Sequence, residues 1–120
     1  MRAHAMAIAG AAAVLLVALS GCSAAPSASG TWGTPSVQGK PYLDLHTDGS
    51  VSGSDGCNRL TGSWKQSGAT VTFGHLASTL IACQGVDTWL SQAGSATISG
   101  STMTVLNESK KHIGSLTQNK

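Results

Sequence analysis

The chain has 120 residues, which leaves room for one domain. Only 10% of the residues are charged and 4% are aromatic, whereas glycine occurs 15 times, and this composition favours a β-rich fold over a helical bundle. The formal net charge is +2 and the basic residues form no concentrated stripe, which argues against a nucleic-acid-binding protein.

Residues 1–21 have the layout of an export signal. A basic residue near the start is followed by residues 5–19, which are all apolar or glycine, and this run is shorter than the roughly 20 residues of a membrane span. The segment ends in Leu19-Ser20-Gly21-Cys22, which resembles the bacterial lipobox. We therefore expect cleavage before Cys22, a lipid on its sulfur, and an exported protein anchored to the cell membrane.

Residues 22–30 are predicted to be the acylated cysteine and a flexible linker, because Ser, Ala, Pro and Gly make up the rest of this segment. The alternative is plain secretion, with cleavage after Ala25. In either case the folded domain is predicted to cover residues 31–118.

Three β-hairpins are predicted in the folded part. Apolar and polar residues alternate at Tyr42–His46, and the strand runs directly into a strong hairpin signal. Similar alternation predicts two more hairpins, with Trp64 packing near Phe73 in the second. The predicted turns are Asp48-Gly49, Ser67-Gly68 and Gly100-Ser101.

One helix is predicted at about Gly85–Ala93, where Val86, Leu90 and Ala93 fall at helical spacing and Asp87 stands near the start. The predicted fold class is α+β and predominantly antiparallel β. Its hairpins would build a curved sheet or a partly open barrel, with the single short helix packed on it or closing one end.

The cysteine count is consistent with one structural disulfide. The lipobox accounts for Cys22, which leaves Cys57 and Cys83 as a pair in an oxidising compartment. A bridge between them would close a loop of roughly 25 residues and stabilise the domain by about 3 kcal/mol. Two buried free thiols are the alternative.

Two blocks of the sequence carry a family resemblance. The first is Gly56-Cys57-Asn58-Arg59, and the second is Ala77-Ser78-Thr79 followed by Ala82-Cys83. In this order they resemble the META domain, also called the HslJ-like family, and the resemblance extends over nearly all of residues 31–117.

The resemblance implies a compact β-rich fold with one helix, an envelope location and a link to heat shock or antibiotic tolerance. It implies no enzymatic activity. Two positions depart from the family pattern: Ile81 stands where methionine is frequent, and Leu80 stands where a basic residue is frequent.

Chemical alternatives have weaker support in the sequence. A thiol hydrolase could draw on Cys57, His75 and Asn58, but no local nucleophile signature is present. A zinc site from Cys57, Cys83 and either His46 or His75 lacks the close cysteine spacing of structural zinc. We therefore expect no enzyme, no cofactor and no metal.

The leading hypothesis is a non-catalytic, membrane-tethered envelope module that binds an unknown protein or ligand or serves stress tolerance. A protease inhibitor with an exposed loop is one alternative. A small hydrolase or redox protein that uses Cys57 or Cys83 is the other. Arg59 is expected either to pair with Asp55 or Asp87 or to lie on a recognition surface.

Overall fold

The computed structural model describes residues 26–119. The predicted export signal, the lipid attachment site at Cys22 and the first part of the predicted linker lie outside these residues. The described residues form nine strands, which are β1 (Gly30–Gly33), β2 (Tyr42–Leu45), β3 (Ser50–Ser54), β4 (Arg59–Ser67), β5 (Thr70–Phe73), β6 (Ala77–Ser78), β7 (Ala93–Ser99), β8 (Thr102–Asn107) and β9 (His112–Thr117).

The strands form one curled antiparallel sheet. They follow one another around the sheet in chain order, except that β6 lies beside β4. The long β4 joins the two halves of the sheet, because its first part pairs with β3 and β6 and its last part pairs with β5. Between β1 and β9 the described residues form an isolated bridge, Trp32 to Gln118, so one seam stays unsealed. The predicted antiparallel, partly open barrel is confirmed.

The core fills the interior of the barrel with side chains from alternate strand positions. In β2, Leu43 and Leu45 are buried while their neighbours are not, and β8 buries Met103 and Val105 in the same way. Trp32 of β1 is the largest fully buried side chain among the described residues. The alternation seen in the sequence therefore marks the inner face of the sheet.

All three predicted hairpins are present, formed by β2–β3, β4–β5 and β7–β8. Each turn places a glycine at positive φ, where a side chain would be strained, and these glycines are Gly49, Gly68 and Gly100. Trp64 and Phe73 are directly opposed in the β4–β5 pair, as predicted.

The predicted helix at Gly85–Ala93 is wrong in extent, because the structure contains a single 3₁₀ turn at Trp89–Gln92. Gly85 has a φ of 75° and belongs to a turn in which the Val86 N–H donates to the Cys83 carbonyl. Since β7 already begins at Ala93, too few residues remain for an α-helix. Within the described part of the chain, no helical segment has the length and apolar character to cross a bilayer.

The connections between strands divide between two ends of the barrel. The end that we call the tether end comprises residues 26–29 and the short turns 46–49, 68–69 and 100–101. The end that we call the disulfide end comprises the connections 34–41, 55–58, 79–88 and 108–111, of which 34–41 and 79–88 are long.

Candidate functional site

The structure joins the two sequence blocks into one unit at the disulfide end. Residues Gly56–Asn58 form the β3–β4 loop, and β4 pairs with β6, so that Leu60 lies opposite Ser78. Beyond β6, the chain returns to the β3–β4 loop, where Cys57 and Cys83 form a disulfide with their Cα atoms 5.9 Å apart. The predicted disulfide is thus present in the structure, and neither sulfur carries a free thiol.

Asn58 binds the backbone of the second block directly. Its Nδ2 donates to the Ile81 carbonyl at 3.1 Å, and its Oδ1 accepts from the Ile81 N–H at 2.6 Å and from the Thr79 hydroxyl at 2.9 Å. The Thr79 hydroxyl oxygen in turn accepts from the Arg59 N–H at 3.0 Å. Because Asn58 is only 8% exposed, these bonds fix residues 79–81 in place largely out of competition with water.

Asp55 holds the first block in its own turn. Its Oδ1 accepts from the N–H groups of Cys57 and Asn58, at 2.9 and 2.6 Å, and its N–H donates to the Asn58 carbonyl. Asp55 is 1% exposed, and its Oδ2 has no hydrogen-bond partner among the described residues. The sequence reasoning did not identify Asp55 as the group that shapes this turn, although an aspartate two residues before a turn amide is a known signal.

The loop between β1 and β2 packs on this turn. At Gly56, where φ is 101°, an added Cβ would lie 2.9 Å from the Gly39 carbonyl oxygen and 3.1 Å from a methyl group of Val86. Three of the connections at the disulfide end are therefore in contact with one another at Gly56.

Arg59 is exposed at the start of β4 and lines a shallow depression of about 210 Å³ with the side chains of β6 and Thr79. The predicted pairing with Asp55 is not formed, because the hydrogen bonds of that carboxylate come from backbone amides. The structure agrees with the part of the other prediction that places the Arg59 side chain on the exposed surface. Ala77 and Ser78 line the same depression, whereas Ala82 lies in the exposed loop beyond it.

Large exposed apolar side chains are concentrated at the disulfide end. Within residues 26–119 they are Leu80 at 97% exposure, Ile81 at 60% and Val37 at 46%. Leu80 and Ile81 occupy the segment whose backbone is held by Asn58 and the disulfide. Two hydrophobic side chains are thus presented to solvent on a fixed backbone.

A second depression, of about 390 Å³, lies beside the 3₁₀ turn. It is bordered by His75 and Leu76 on one side and by Gln92 and Glu108 on the other. His46 and His112 lie elsewhere, and their rings bond to the Ser52 hydroxyl and the Gly114 carbonyl. The described residues contain no cluster of three or more His, Cys, Asp or Glu side chains that could hold a metal ion.

These features define a small antiparallel β-barrel protein with one end locked by a disulfide and an asparagine network. A model of the META domain family matches residues 19–120. The chain therefore belongs to the META domain family, as the two sequence blocks indicated. No curated protein and no solved structure matches the chain.

Proposed function

We propose that the protein is a lipid-anchored module of the bacterial envelope that acts by binding another protein through the disulfide end. The observation that carries this proposal is the 97% exposure of Leu80 on a segment whose backbone is held on both sides. A free Leu side chain in water has no stabilising role in the isolated domain, whereas its burial in a partner contributes about 1.5–3 kcal/mol.

The fixed backbone favours binding over a mobile loop of the same composition. Asn58 bonds to both the N–H and the carbonyl of Ile81, so the segment loses little conformational freedom when a partner docks. The entropy of ordering a loop is a large part of what association must overcome. The disulfide and Asn58 thus make a small apolar surface a more effective contact.

A non-catalytic role is supported by the bonds that the candidate catalytic side chains already form. Cys57 and Cys83 are joined to each other, and the Asn58 amide is engaged with backbone, so the candidate thiol hydrolase lacks both its nucleophile and its orienting group. The zinc site is disfavoured for the same reason, because thiolates are the ligands it would need.

The lipid anchor is supported by the sequence Leu19-Ser20-Gly21-Cys22 at the end of an apolar leader. Its test is the non-reducing intact mass of the protein recovered from membranes. A mass for a chain that begins at acylated Cys22 is the expected result. A mass for an unacylated chain that begins at Pro26 would exclude the anchor.

The binding role is tested by photo-cross-linking in cells. A photoreactive amino acid replaces Leu80 in the full chain, and the matched control replaces Thr97, which is exposed on β7 away from the disulfide end. We expect a discrete cross-linked protein from position 80 and none from position 97. Equal cross-linking at both positions, or none at either, would contradict a docking surface at Leu80.

The family resemblance implies a stress-tolerance role, and we propose that the same surface serves it. A strain that lacks the protein should be complemented for survival at elevated temperature by the wild-type chain and by Thr97→Ser. Leu80→Ser should complement poorly. Since Leu80 is almost entirely exposed, this substitution removes no buried contact and should leave the fold intact. Full complementation by Leu80→Ser would separate stress tolerance from this surface.

A second candidate function is inhibition of an extracytoplasmic protease. The observation that favours it is that the exposed Leu80–Ile81 segment is held by a disulfide two residues further on, which would present a peptide bond on a rigid backbone. The purified domain should then inhibit an envelope protease that prefers apolar residues and should remain intact. Rapid cleavage after Leu80 without inhibition would rule this function out.

A further inference from the structure

The segment before β1 does not extend freely from the barrel. The Gln66 side chain forms two hydrogen bonds with this segment. Its Nε2 donates to the Pro26 carbonyl at 2.8 Å, and its Oε1 accepts from the Ala28 N–H at 2.7 Å. The Trp32 indole N–H donates to the Ala28 carbonyl at 2.9 Å, and Ala28 is fully buried. Part of the predicted linker is therefore docked onto the tether end.

Docking leaves a short connection to the predicted lipid attachment site. Three residues separate Cys22 from Pro26, so the chain between them spans at most about 14 Å even when fully extended. By contrast, β4 alone, from Arg59 to Ser67, extends about 26 Å from the disulfide end toward the tether end. The distance across the barrel thus exceeds the greatest length of the chain between Cys22 and Pro26.

The two ends also differ in charge. The tether-end turns 46–49, 68–69 and 100–101 contain one charged side chain, that of Asp48. The connections at the disulfide end contain six, Lys40, Asp55, Asp87, Glu108, Lys110 and Lys111. An end made of short turns with a single charged side chain can approach lipid headgroups with less desolvation than an array of charges would incur.

We infer that the docked segment fixes the orientation of the domain, so that the tether end lies against the lipid headgroups and the disulfide end points away from the membrane. This inference rests on the proposed lipid anchor at Cys22. It places Leu80 and Ile81 on the outermost surface of the anchored protein, where they are accessible to a partner from the far side.

The test uses the full acylated chain in vesicles of phosphatidylethanolamine and phosphatidylglycerol that carry a nitroxide on a fraction of the headgroups. A fluorescent amino acid is incorporated at Ser67 or at Leu80, both exposed, so that the disulfide is left intact. We expect most of the fluorescence at position 67 to be quenched and little of that at position 80. Equal quenching, or stronger quenching at position 80, would overturn the orientation.

Flotation of the same vesicles separates this inference from the proposal on which it rests. If the protein does not float with the vesicles, the lipid anchor fails and the orientation fails with it. If the protein floats but the two labels are quenched equally, the anchor stands and the orientation alone is overturned.

A pair of variants tests the role of the docked segment. Gln66→Ala removes the bonds to Pro26 and Ala28, whereas Lys65→Ala changes the exposed neighbouring residue. We expect Gln66→Ala to reduce the difference in quenching between positions 67 and 80 while flotation is retained, and Lys65→Ala to preserve it. A difference that survives unchanged in Gln66→Ala would overturn the inference that docking fixes the orientation.

Discussion

The tether end and the disulfide end of the barrel both connect antiparallel strands, but different interactions hold their connections in place. At the tether end, each hairpin turn is closed within a few residues, as where the Gly49 N–H donates to the His46 carbonyl. At the disulfide end, the long connection 79–88 is held by contacts between residues far apart in the sequence. Asn58 reaches Ile81 across 23 residues, and the disulfide closes a separation of 26.

This difference has an energetic consequence. A short turn loses little entropy when it closes, so local hydrogen bonds suffice to hold it. A long connection loses more and needs a covalent link or a buried polar network to stay in one conformation. The fixed presentation of Leu80 is therefore a property of the whole disulfide end rather than of the loop sequence alone.

Removal of the disulfide is the largest expected perturbation. The double variant Cys57→Ser/Cys83→Ser should lower the free energy of unfolding by about 3 kcal/mol, because the unfolded chain regains the entropy of the open loop. Urea denaturation of the variant and the oxidised wild type measures this effect.

Hydrogen exchange shows where the disulfide acts. In the double variant, the amide of Ile81 should lose protection relative to that of Ile98, which donates to the Ala69 carbonyl at the tether end. A uniform loss of protection at both ends would contradict the separate stabilisation of the two ends.

Loss of the Asn58 side chain is the next largest effect. Asn58→Ala removes three hydrogen bonds to residues 79–81 and should destabilise the fold by about 2 kcal/mol. Thermal unfolding gives the value, and Asn119→Ala, at an exposed position near the other end, is the matched control with an expected change within about 0.5 kcal/mol. If the two variants behaved alike, Asn58 would not be a structural link.

The sequence predicted the tether end better than the disulfide end. The Asp48-Gly49, Ser67-Gly68 and Gly100-Ser101 turns were identified because turn chemistry and strand alternation are local signals, visible within ten residues. The docking of Ala28 on Gln66 was not identified, because the two residues are 38 positions apart and neither sequence position is unusual.

At the disulfide end, the pairing of Cys57 and Cys83 followed from the cysteine count, but the structural role of Asn58 did not. Asp55 closes the β3–β4 turn and leaves Asn58 to bind Ile81, and no local pattern in the sequence signals that long-range bond. The helix predicted near Leu90 failed for a related reason. Apolar spacing placed Leu90 correctly in the core, but the disulfide-linked turn before it leaves room for one 3₁₀ turn only.

A pair of glycine variants compares the packing of the two ends. Gly56→Ala places a Cβ against the Gly39 carbonyl at positive φ and should destabilise the protein by about 2 kcal/mol. Gly68→Ala also has positive φ but meets no atom within 4 Å, so we expect a loss of about 1 kcal/mol. Chemical denaturation under identical conditions ranks them, and a larger loss for Gly68→Ala would contradict tighter packing at the disulfide end.

The smallest expected effect concerns Asp48, the charged residue of the tether-end turns. The Ser50 hydroxyl and then the Ser50 N–H donate to the Asp48 carboxylate, at 2.6 and 2.8 Å, and this lowers the pKa of the carboxyl below its ordinary value. A lowered pKa in the folded state means that ionised Asp48 stabilises the fold above the pKa of the unfolded chain. This contribution is lost as the pH falls through the pKa of the folded state.

Ser50→Ala removes the stronger of these donors and keeps the backbone one, so the pKa of Asp48 should rise toward its ordinary value without reaching it. An NMR titration of the Asp48 side-chain carbon in wild type, Ser50→Ala and the control Ser101→Ala measures the shift. Because Asp48 is exposed, we expect little change in overall stability, in keeping with a turn closed by local hydrogen bonds. An unchanged pKa in Ser50→Ala would mean that the hydroxyl is not the main cause, and that the turn is held by its backbone hydrogen bonds alone.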